Sequence, residues 1–551
     1  MAKAKLKIIP LGGLGEVGKN MMVVETESEM IVIDAGQMFP EDEMYGIDLV
    51  LPDFSYVVKR KQKLKAIIIT HGHEDHTGAL PYLLREVRAP IYGTKLTLGL
   101  IKSKLAEHHL SKVQFREIDP EKSLKLQSMK ISFIRVCHSI PDGVGLAIET
   151  QLGTIVHSGD FKFDQAPVDG RSTEFDRFAA YAGKVLLFMS DSTNAESPGY
   201  TEPEKSVGVS LRDLISRANQ RVVVASFASH IHRIQQVIDA AVFCGRKVAV
   251  CGRSMVNNVG IASELGYLKI PKGSIVELSE AKKMKPSKVL IMSTGSQGEP
   301  MSALSRMAGK THRQVEITPG DTVIISANPV PGNEKSVSRI IDLLFKAGAD
   351  VYYKSVSDVH VSGHAAQEEL LMMLNLIRPK FFMPIHGEYR HLKYHALLAK
   401  KIGMSPKNIL VAENGDVLGF DGNNVRITHQ IPAGMTFVDG LGVGDIGDAV
   451  IRDRQLLARD GICIIVVIVN THTKQVVGRP EINSKGFTET EEASKLIDDA
   501  KTVVLETIER ELNIKVFDQV ILRNEVRRTL SKYFYDKTKR RPIIIPTIVE
   551  I

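Results

Sequence analysis

The stretch Ala66-Ile-Ile-Ile-Thr-His-Gly-His-Glu-Asp-His-Thr-Gly78 decides the fold. Its apolar half predicts a buried strand over Ala66–Thr70, and the sequence after it predicts a helix over Thr77–Val87. The loop between them packs three imidazoles and two carboxylates together, and burying such groups without partners is costly. Imidazole nitrogen and carboxylate oxygen are good ligands for divalent metals. The stretch therefore predicts a metal-binding loop between a strand and a helix, and a solvated loop with unrelated histidines is the weaker interpretation.

The loop alone supplies four candidate ligands. His71 and His73 lie two residues apart on extended backbone and can face one ion, whereas Asp75 and His76 at the start of the helix can face a second. Four ligands do not complete two sites, so further ligands are expected from the ends of other strands.

Three later residues stand where such ligands are expected, each directly after an apolar run. His138 follows a predicted strand over Ile131–Cys137, and Asp160 follows one over Thr154–His157. His386 follows a third, over Phe381–Ile385. Taken alone, each also fits a buried structural residue with a hydrogen-bond partner. The His71 loop makes the ligand interpretation the stronger one for all three.

Composition narrows the classes of protein. The chain has 551 residues, 43% hydrophobic and 25% charged, which excludes a mainly disordered protein. A formal charge of +7 permits a polyanionic partner without requiring one. Four cysteines without paired spacing exclude a disulfide framework and a Cys-rich zinc module. The longest apolar run, Ile462–Val469, is shorter than a membrane span, and Met1–Gly18 is a poor signal peptide, so a cytoplasmic location without membrane contact is expected.

The rhythm of apolar segments predicts an α/β chain in several parts. Short β-branched runs dominate residues 1–204, whereas strands alternate with helices in 205–365, which is typical of a parallel, doubly wound sheet. Residues 366–447 continue the first pattern up to a glycine-rich segment, and 448–551 are predicted to form a small α/β domain.

A glycine motif near the start offers a competing interpretation. Gly13-Leu-Gly-Glu-Val-Gly18 satisfies the dinucleotide fingerprint, with Asp34 near the place of its ribose-binding acid. That fingerprint requires a helix after the third glycine, yet Asn20–Glu25 is typical of a strand and turns directly into Met30–Asp34. Because parallel strands need a crossover, we expect a glycine turn between adjacent strands and no dinucleotide site.

The assembled motifs resemble a known superfamily. The His-x-His-x-Asp-His loop, with the later His, Asp and His, is similar to the metallo-β-lactamase superfamily. Ser190-Asp-Ser-Thr-Asn194, His360-Val-Ser-Gly-His364 and Pro384-Ile-His-Gly-Glu-Tyr389 resemble three extra motifs of its β-CASP branch, whose members act on nucleic acids. Together with Leu11–Asn20, Ser226–Gln236 and Thr294–Pro300, they resemble the bacterial ribonuclease J family over nearly the whole chain. The resemblance implies an αββα metallo-β-lactamase sandwich with an inserted β-CASP α/β domain and a small C-terminal α/β domain.

The resemblance also implies a dinuclear metal site. One ion would take His71, His73 and His138, and the other Asp75, His76 and His386, with Asp160 as the bridge. Zinc is the expected metal, with manganese or magnesium as alternatives, and no organic cofactor is expected.

Catalytic and substrate-binding roles follow from the same resemblance. Asp75 and His364 are the expected catalytic residues, together with Asp191. His364 would protonate the leaving 3′ oxygen, and the Asp191 carboxylate would position the His364 ring. Phosphate binding without proton transfer is the alternative for His364. Asp34 would support a metal ligand, with structural capping as the alternative. Candidate contacts for a 5′-monophosphate and the first base are Ser226, Phe227, Ser362, Gly363 and His364. For Phe227, a place in the core is an open alternative to base stacking.

The implied function is that of a ribonuclease in RNA maturation and decay. We expect a 5′→3′ exonuclease that favours 5′-monophosphate ends and also cleaves internally. A DNA nuclease, a small-molecule esterase and a non-catalytic RNA-binding scaffold remain alternatives. Beside RNA, the implied partners are further copies of the chain, as a dimer or tetramer, and a paralogous subunit or an RNA-degradation complex. The basic run Lys537–Arg541 fits RNA contact or a solvated face.

Overall fold

A computed structural model describes residues 6–299, 301–422, 424–488, 491–514 and 518–551. Pro300, the last residue of one motif quoted above, and residues 1–5 of the predicted first domain lie outside the described residues. The chain divides into two compact units: one comprises the residues up to Phe39 together with Val50–Thr436, and the other Pro40–Leu49 together with Phe437–Ile551. Among the described helices, none combines the length and the apolar character needed to cross a membrane.

The larger unit contains an eight-stranded mixed sheet. Its strands in spatial order are Val425–Gln430, Asp416–Phe420, Leu6–Gly12, Met21–Thr26, Met30–Ile33, Leu64–Ile68, Ile91–Gly93 and Phe115–Glu117. Neighbouring strands are antiparallel from Val425–Gln430 to Met30–Ile33. From Met30–Ile33 to Phe115–Glu117 they are parallel. The two strands that follow Gly18, Met21–Thr26 and Met30–Ile33, are thus adjacent and antiparallel, with no helix between them. This confirms the expected glycine turn between adjacent strands and excludes a dinucleotide fold there.

A second, six-stranded sheet packs face to face against the first. Its strands in spatial order are Phe381–Ile385, Val185–Asp191, Gly153–His157, Gly143–Thr150, Met129–Val136 and Leu124–Lys125. Alternate residues of both sheets form one buried apolar cluster, in which Ile33 and Ile68 of the first sheet lie with Leu146, Leu187 and Met383 of the second. This shared cluster is the core of the sandwich.

Helices cover the outer faces of the two sheets. Lys95–Glu107 contacts the first sheet at its parallel edge, while Gln367–Ile377 and Tyr389–Lys401 pack with Phe175–Ala179 on the second. The predicted αββα arrangement is therefore confirmed. Further short helices of this part are Ser55–Lys59, Lys61–Lys63, Glu74–Thr77, Leu80–Glu86 and Pro406–Asn408; the short strands are Leu14–Gly15, paired with Gly387–Glu388, and Leu49–Pro52.

The inserted segment builds a third sheet, in which every strand pair is parallel. Its strands in spatial order are Ile275–Val276, Lys247–Cys251, Val289–Ser293, Val222–Ala225, Thr322–Ile325 and Asp350–Tyr352. Apolar clusters cover both faces, which confirms the predicted doubly wound sheet. Its helices are Glu204–Arg217, Ile231–Phe243, Arg253–Glu264, Leu278–Ala281, Pro286–Lys288, Ala303–Ala308 and Glu334–Lys346.

The smaller unit is a three-stranded sheet with two long helices on one face. Ile462–Asn470 is the central strand, antiparallel to Gln475–Lys485 and parallel to Ile543–Glu550. One face packs into a core with the helices Glu491–Ile514 and Gln519–Thr538. The sequence analysis missed the helix Asp448–Asp460 and the strand Gln475–Lys485 of this unit. The short strands Met435–Asp439 and Gly442–Val443 precede the helix Asp448–Asp460.

Candidate metal centre and active site

The His71 loop lies at the carboxyl end of the strand Leu64–Ile68, where the chain turns into a one-turn helix, Glu74–Thr77. The helix starts three residues earlier than the sequence predicts, and a second helix begins only at Leu80. Asp34 holds the start of the loop, because its carboxylate accepts hydrogen bonds from the Thr70 amide at 2.8 Å and the Thr70 hydroxyl at 2.9 Å. These bonds fix the start of the loop that carries the imidazoles.

The first group of candidate ligands consists of His71, His73 and His138. The Nδ1 atom of His73 lies 2.9 Å from Nε2 of His71 and 3.1 Å from Nε2 of His138. His71 and His138 are buried, and His73 is partly buried. Three nitrogens that converge in this way form one face of a tetrahedral site.

The second group consists of Asp75, His76, Asp160 and His386. The Oδ2 atom of Asp75 lies 3.4 Å from Nε2 of His76 and 3.3 Å from Nε2 of His386. The Oδ2 atom of Asp160 lies 3.3 Å and 3.5 Å from the same two nitrogens. Two carboxylates and two imidazoles thus surround a common point.

The same Asp160 oxygen also faces the first group. It lies 3.8 Å from Nε2 of His71 and 3.9 Å from Nε2 of His138. One carboxylate oxygen therefore stands between the two groups. The structure brings together all seven residues that the sequence proposes as ligands, although they come from separate stretches of the chain.

In four of these imidazoles, the Nδ1 atom faces away from the ligand groups and lies within hydrogen-bond distance of another protein group, a different one in each case. The Nδ1 atoms lie 3.1 Å from the Thr70 hydroxyl for His71, 2.8 Å from Asp34 for His76, 2.7 Å from the Gly363 carbonyl for His138, and 2.6 Å from the Thr193 hydroxyl for His386. These contacts leave Nε2 turned inward. Such outer partners fix the ring orientation of metal-binding histidines.

Protonation in the first group suits metal binding. Burial holds the pKa of His71 and His138 well below the usual range and lowers the pKa of His73 to about 4. These rings are therefore neutral at physiological pH and offer a lone pair, as a metal requires.

The second group carries the negative charge. Burial alone would raise the pKa of Asp75, but His76 and His386 hold it well below its usual value. Burial alone would likewise lower the pKa of His76 and His386, but Asp160 and its neighbours hold both well above the usual range. These carboxylates attract positive charge to the centre, which a divalent cation supplies. The donor set thus fits a metal site, and a bound divalent cation would take the place of the protons on His76 and His386.

Beside the two groups lies the pair His364 and Asp191. The Nδ1 atom of His364 is 2.8 Å from Oδ2 of Asp191, and its ring centroid is 4.8 Å from that of His138. Burial would lower the pKa of His364, but Asp191 outweighs it and raises that pKa. Asp191 is fixed in turn, because its Oδ1 accepts hydrogen bonds from the Thr193 hydroxyl at 2.7 Å and the Thr193 amide at 3.0 Å.

The remaining predicted contacts lie around this pair. Ser362 is partly exposed, and its hydroxyl accepts hydrogen bonds from Asn194 at 2.8 Å and from the His364 amide at 3.1 Å. Gly363 packs so closely on His138 that a Cβ there would lie 2.8 Å from the ring, which shows why glycine is needed. Ser226 and Phe227 follow the strand Val222–Ala225 of the insert; Ser226 is buried and Phe227 is half-buried. Their contact with substrate stays a prediction.

Asn20 and Thr193 are residues at the centre to which the sequence analysis gave no role. The Asn20 side-chain nitrogen lies 3.3 Å from Oδ2 of Asp75 and 3.2 Å from Nε2 of His76. Thr193 bonds both His386 and Asp191. Asn20 ends the motif Leu11–Asn20 and Thr193 lies inside the motif Ser190–Asn194, so both were visible as positions without an assigned role.

Comparison with protein families matches four stretches of the chain. The matched families are described as "Beta-lactamase superfamily domain" over residues 31–179, "Ribonuclease J, beta-CASP domain" over 219–344, "Zn-dependent metallo-hydrolase RNA specificity domain" over 348–412, and "Ribonuclease J C-terminal domain" over 449–551.

Whole-length relatives decide the assignment. Ribonuclease J2 of Bacillus subtilis (strain 168) is 44% identical over 99% of both chains. Ribonuclease J 1 of Streptococcus pyogenes serotype M3 is 46% identical over 98% of this chain and 97% of its own. The chain belongs to the ribonuclease J family. A crystal structure of a protein of unknown function from Enterococcus faecalis V583, 15% identical, covers 76% of this chain and all of its own with a TM-score of 0.54, and shows the shared fold alone.

Membership of the ribonuclease J family confirms the main predictions. The chain is a ribonuclease of the zinc-dependent metallo-hydrolase class, with a lactamase domain, a β-CASP insert and the C-terminal domain of this family. The His/Asp cluster is consistent with the metal centre expected of that class. RNA is accordingly the substrate that the matched RNA specificity domain implies.

Replacing Asp34 by Asn tests how far the centre depends on its outer partners. Asp34 has φ of 60°, a conformation that Asn tolerates, so the backbone is retained. The substitution removes the charge beside His76, and we expect metal affinity to fall about 10–100-fold. Zinc content after dialysis against a graded chelator measures the loss. The matched control Asp342→Asn, on the helix Glu334–Lys346 of the insert, should bind zinc normally; equal affinity in both variants would contradict the role of Asp34.

Proposed function

We propose that this chain hydrolyses RNA phosphodiester bonds from the 5′ end, favours 5′-monophosphate ends and also cleaves internally. The observation that carries the proposal is the position of Asp160. Its Oδ2 atom lies within 3.3–3.9 Å of nitrogens from five imidazoles, those of His71, His76, His138, His364 and His386. Four belong to the two ligand groups, and the fifth belongs to the candidate acid.

Two divalent ions fit this arrangement, with zinc favoured and manganese or magnesium as alternatives. His71, His73 and His138 would hold one, Asp75, His76 and His386 the other, and Asp160 both. When bound, such ions lower the pKa of water and stabilise negative charge on phosphate oxygens. The protein residues contribute rigidity, since Thr70, Asp34, Gly363 and Thr193 fix the rings that face inward.

The proposed general acid is His364. Its Nδ1–H donates to Asp191, which supports the imidazolium form and leaves Nε2 for the substrate. His364 is about one-fifth exposed, so that a phosphodiester can reach it while the Asp191 carboxylate remains buried. In the proposed reaction, Nε2 gives its proton to the leaving 3′ oxygen, and Asp191 stabilises the protonated ring until that transfer.

A 5′-monophosphate anchor would explain the direction of digestion. The Ser362 hydroxyl and the backbone around Gly363 stand directly before His364, and Ser226 lies at the carboxyl end of the parallel insert sheet, where such sheets bind ligands. A phosphate held there fixes the distance from the 5′ end to the acid. A triphosphate adds bulk and negative charge, and it is expected to fit poorly.

The cellular setting follows from the same proposal. An enzyme of this kind would act in RNA maturation and decay in the cytoplasm, and the four cysteines, all free thiols, agree with a reducing compartment. Association with a paralogous subunit or an RNA-degradation complex, and the division into domains 1–204, 205–365, 366–447 and 448–551, stay predictions.

Self-association is proposed through the smaller unit. The face of its sheet that lies opposite the helices exposes a mainly apolar patch, which we call the open sheet face. Three central-strand residues on it are 36–41% exposed, and β-pairing places apolar neighbours beside two of them. The apolar members of the face are Ile464, Val466, Ile468, Val477, Ile545 and Val549. A second copy of the same face, related by a two-fold axis, would cover it.

Digestion of one RNA with different 5′ ends tests the proposed reaction. Single-turnover reactions would compare 5′-monophosphate and 5′-triphosphate forms with wild type, His364→Ala and His76→Ala. We expect rapid mononucleotide release from the monophosphate form and a rate about 10²–10⁴-fold lower in His364→Ala, because the acid is lost while the ligands remain. His76→Ala should also lose zinc.

Three results would contradict this proposal in whole or in part. Cleavage of single-stranded DNA but not RNA by the zinc-loaded wild type would assign a different substrate. A His364→Ala variant that digests RNA at the wild-type rate would remove the acid from the mechanism. Internal fragments that are independent of the 5′ end would retain the reaction but contradict the anchor.

Placing a charge on the open sheet face tests self-association. Val466→Lys should lower the molar mass in solution to that of a smaller species, because two copies of the face would then bring buried charges together. The matched control Val209→Lys, at a position 72% exposed on the helix Glu204–Arg217, should leave the mass unchanged. Light scattering after gel filtration measures both, and an unchanged mass for Val466→Lys would exclude this face as the interface.

A further inference from the structure

A short segment beside the catalytic pair is tied to the backbone of His364 at both ends. The Asn194 side-chain nitrogen donates to the His364 carbonyl at 3.0 Å, and the Thr201 hydroxyl donates to the same carbonyl at 2.7 Å. The segment Asn194–Thr201 therefore lies directly against the residue proposed as the general acid.

Three more hydrogen bonds hold the rest of this segment. The carbonyls of Ser197 and Gly199 accept from the amides of Gln367 and Glu368, both at 3.0 Å. The Thr201 amide donates to the Glu369 carboxylate at 2.8 Å. Since its backbone is fastened along its length to the residues that follow His364, the segment is a rigid support.

This support presents one large side chain to solvent. Tyr200 is 64% exposed, more than any other of the thirteen tyrosines. In the part of the chain that the structure describes, no hydrogen bond, ring contact or cation holds its ring. By contrast, Tyr389 and Tyr535, two other exposed tyrosines, lie under lysine or arginine side chains.

Single exposed apolar side chains are ordinary, and exposure alone would mean little. The distinguishing feature is position: Tyr200 is one residue, about 3.8 Å along the chain, from the residue whose hydroxyl holds the His364 carbonyl. RNA bound for cleavage at His364 would lie close to this place, and a largely exposed aromatic ring offers a face on which any base stacks.

We propose that Tyr200 is a stacking platform for one nucleobase of the RNA close to the scissile phosphate. This inference rests on the proposed function, in which RNA is cleaved beside His364. Tyr200 would bind and orient the strand without taking part in proton transfer. Because every base has a stacking face, the contact would be independent of sequence, as an enzyme that degrades many RNAs requires.

Fluorescence of a base analogue tests the platform directly. A 5′-monophosphorylated RNA would carry a single 2-aminopurine at each of its first four positions in turn. All proteins would carry His364→Ala, which slows cleavage of the RNA and retains the backbone carbonyl that anchors the segment. We expect quenching at one or two positions that persists with Tyr200→Phe and disappears with Tyr200→Ala, together with about tenfold weaker binding.

A matched control and an activity arm complete the test. Tyr394→Ala removes a tyrosine that is 46% exposed on the helix Tyr389–Lys401, and it should leave quenching unchanged. In otherwise wild-type enzyme, an abasic nucleotide at the quenched position should raise KM more than it lowers kcat, and Tyr200→Ala should abolish that sensitivity.

The outcomes separate this inference from the function on which it rests. Quenching and RNA affinity that are the same with and without the Tyr200→Ala substitution would overturn the platform, while RNA cleavage by the wild type would uphold the proposed function. Failure of the wild type to cleave or bind any RNA would overturn both.

Discussion

The structure depends on one buried carboxylate that several imidazoles surround. Asp160 is 4% exposed, and its Oδ2 atom faces nitrogens from both ligand groups. A carboxylate in such surroundings is stable only with opposite charge close by. Positive charge must therefore be brought to the centre, by protonated histidines in the isolated chain and by divalent cations in the working enzyme.

The sandwich explains how distant residues reach this carboxylate. The His71 loop follows a strand of the first sheet, whereas Asp160 and His386 follow strands of the second, and the two sheets share one core. The insert leaves this frame after Asp191 and returns through His364. Inserting a domain at that point places a separate surface beside the metal centre without altering the strands that hold the ligands.

The sandwich fold and all seven candidate metal ligands could be predicted from the sequence, because the ligands occur in local motifs. Each later candidate ligand directly follows an apolar run. Such a run predicts a buried strand from local sequence alone, and the residue at its end is therefore predictable as well. The antiparallel pairing after Gly18 was predictable for the same reason, since too few residues separate the strands for a crossover.

The residues that support the ligands could not be predicted, because their roles depend on contacts between distant segments. Asn20 touches Asp75 and His76 across more than fifty residues, and no local pattern shows that contact. The sequence suggests Gly363 as a phosphate contact, yet its carbonyl orients His138, which no local motif could show. The helix predicted from Thr77 instead begins at Glu74, and it is divided at Gly78 and Ala79, although both residues keep right-handed helical angles.

Anomalous X-ray scattering from a zinc-loaded crystal tests the central claim most directly. The account predicts two peaks per chain, one among His71, His73 and His138 and the other among Asp75, His76 and His386, with the Asp160 carboxylate in contact with both. A single peak, or a peak that Asp160 does not touch, would contradict it.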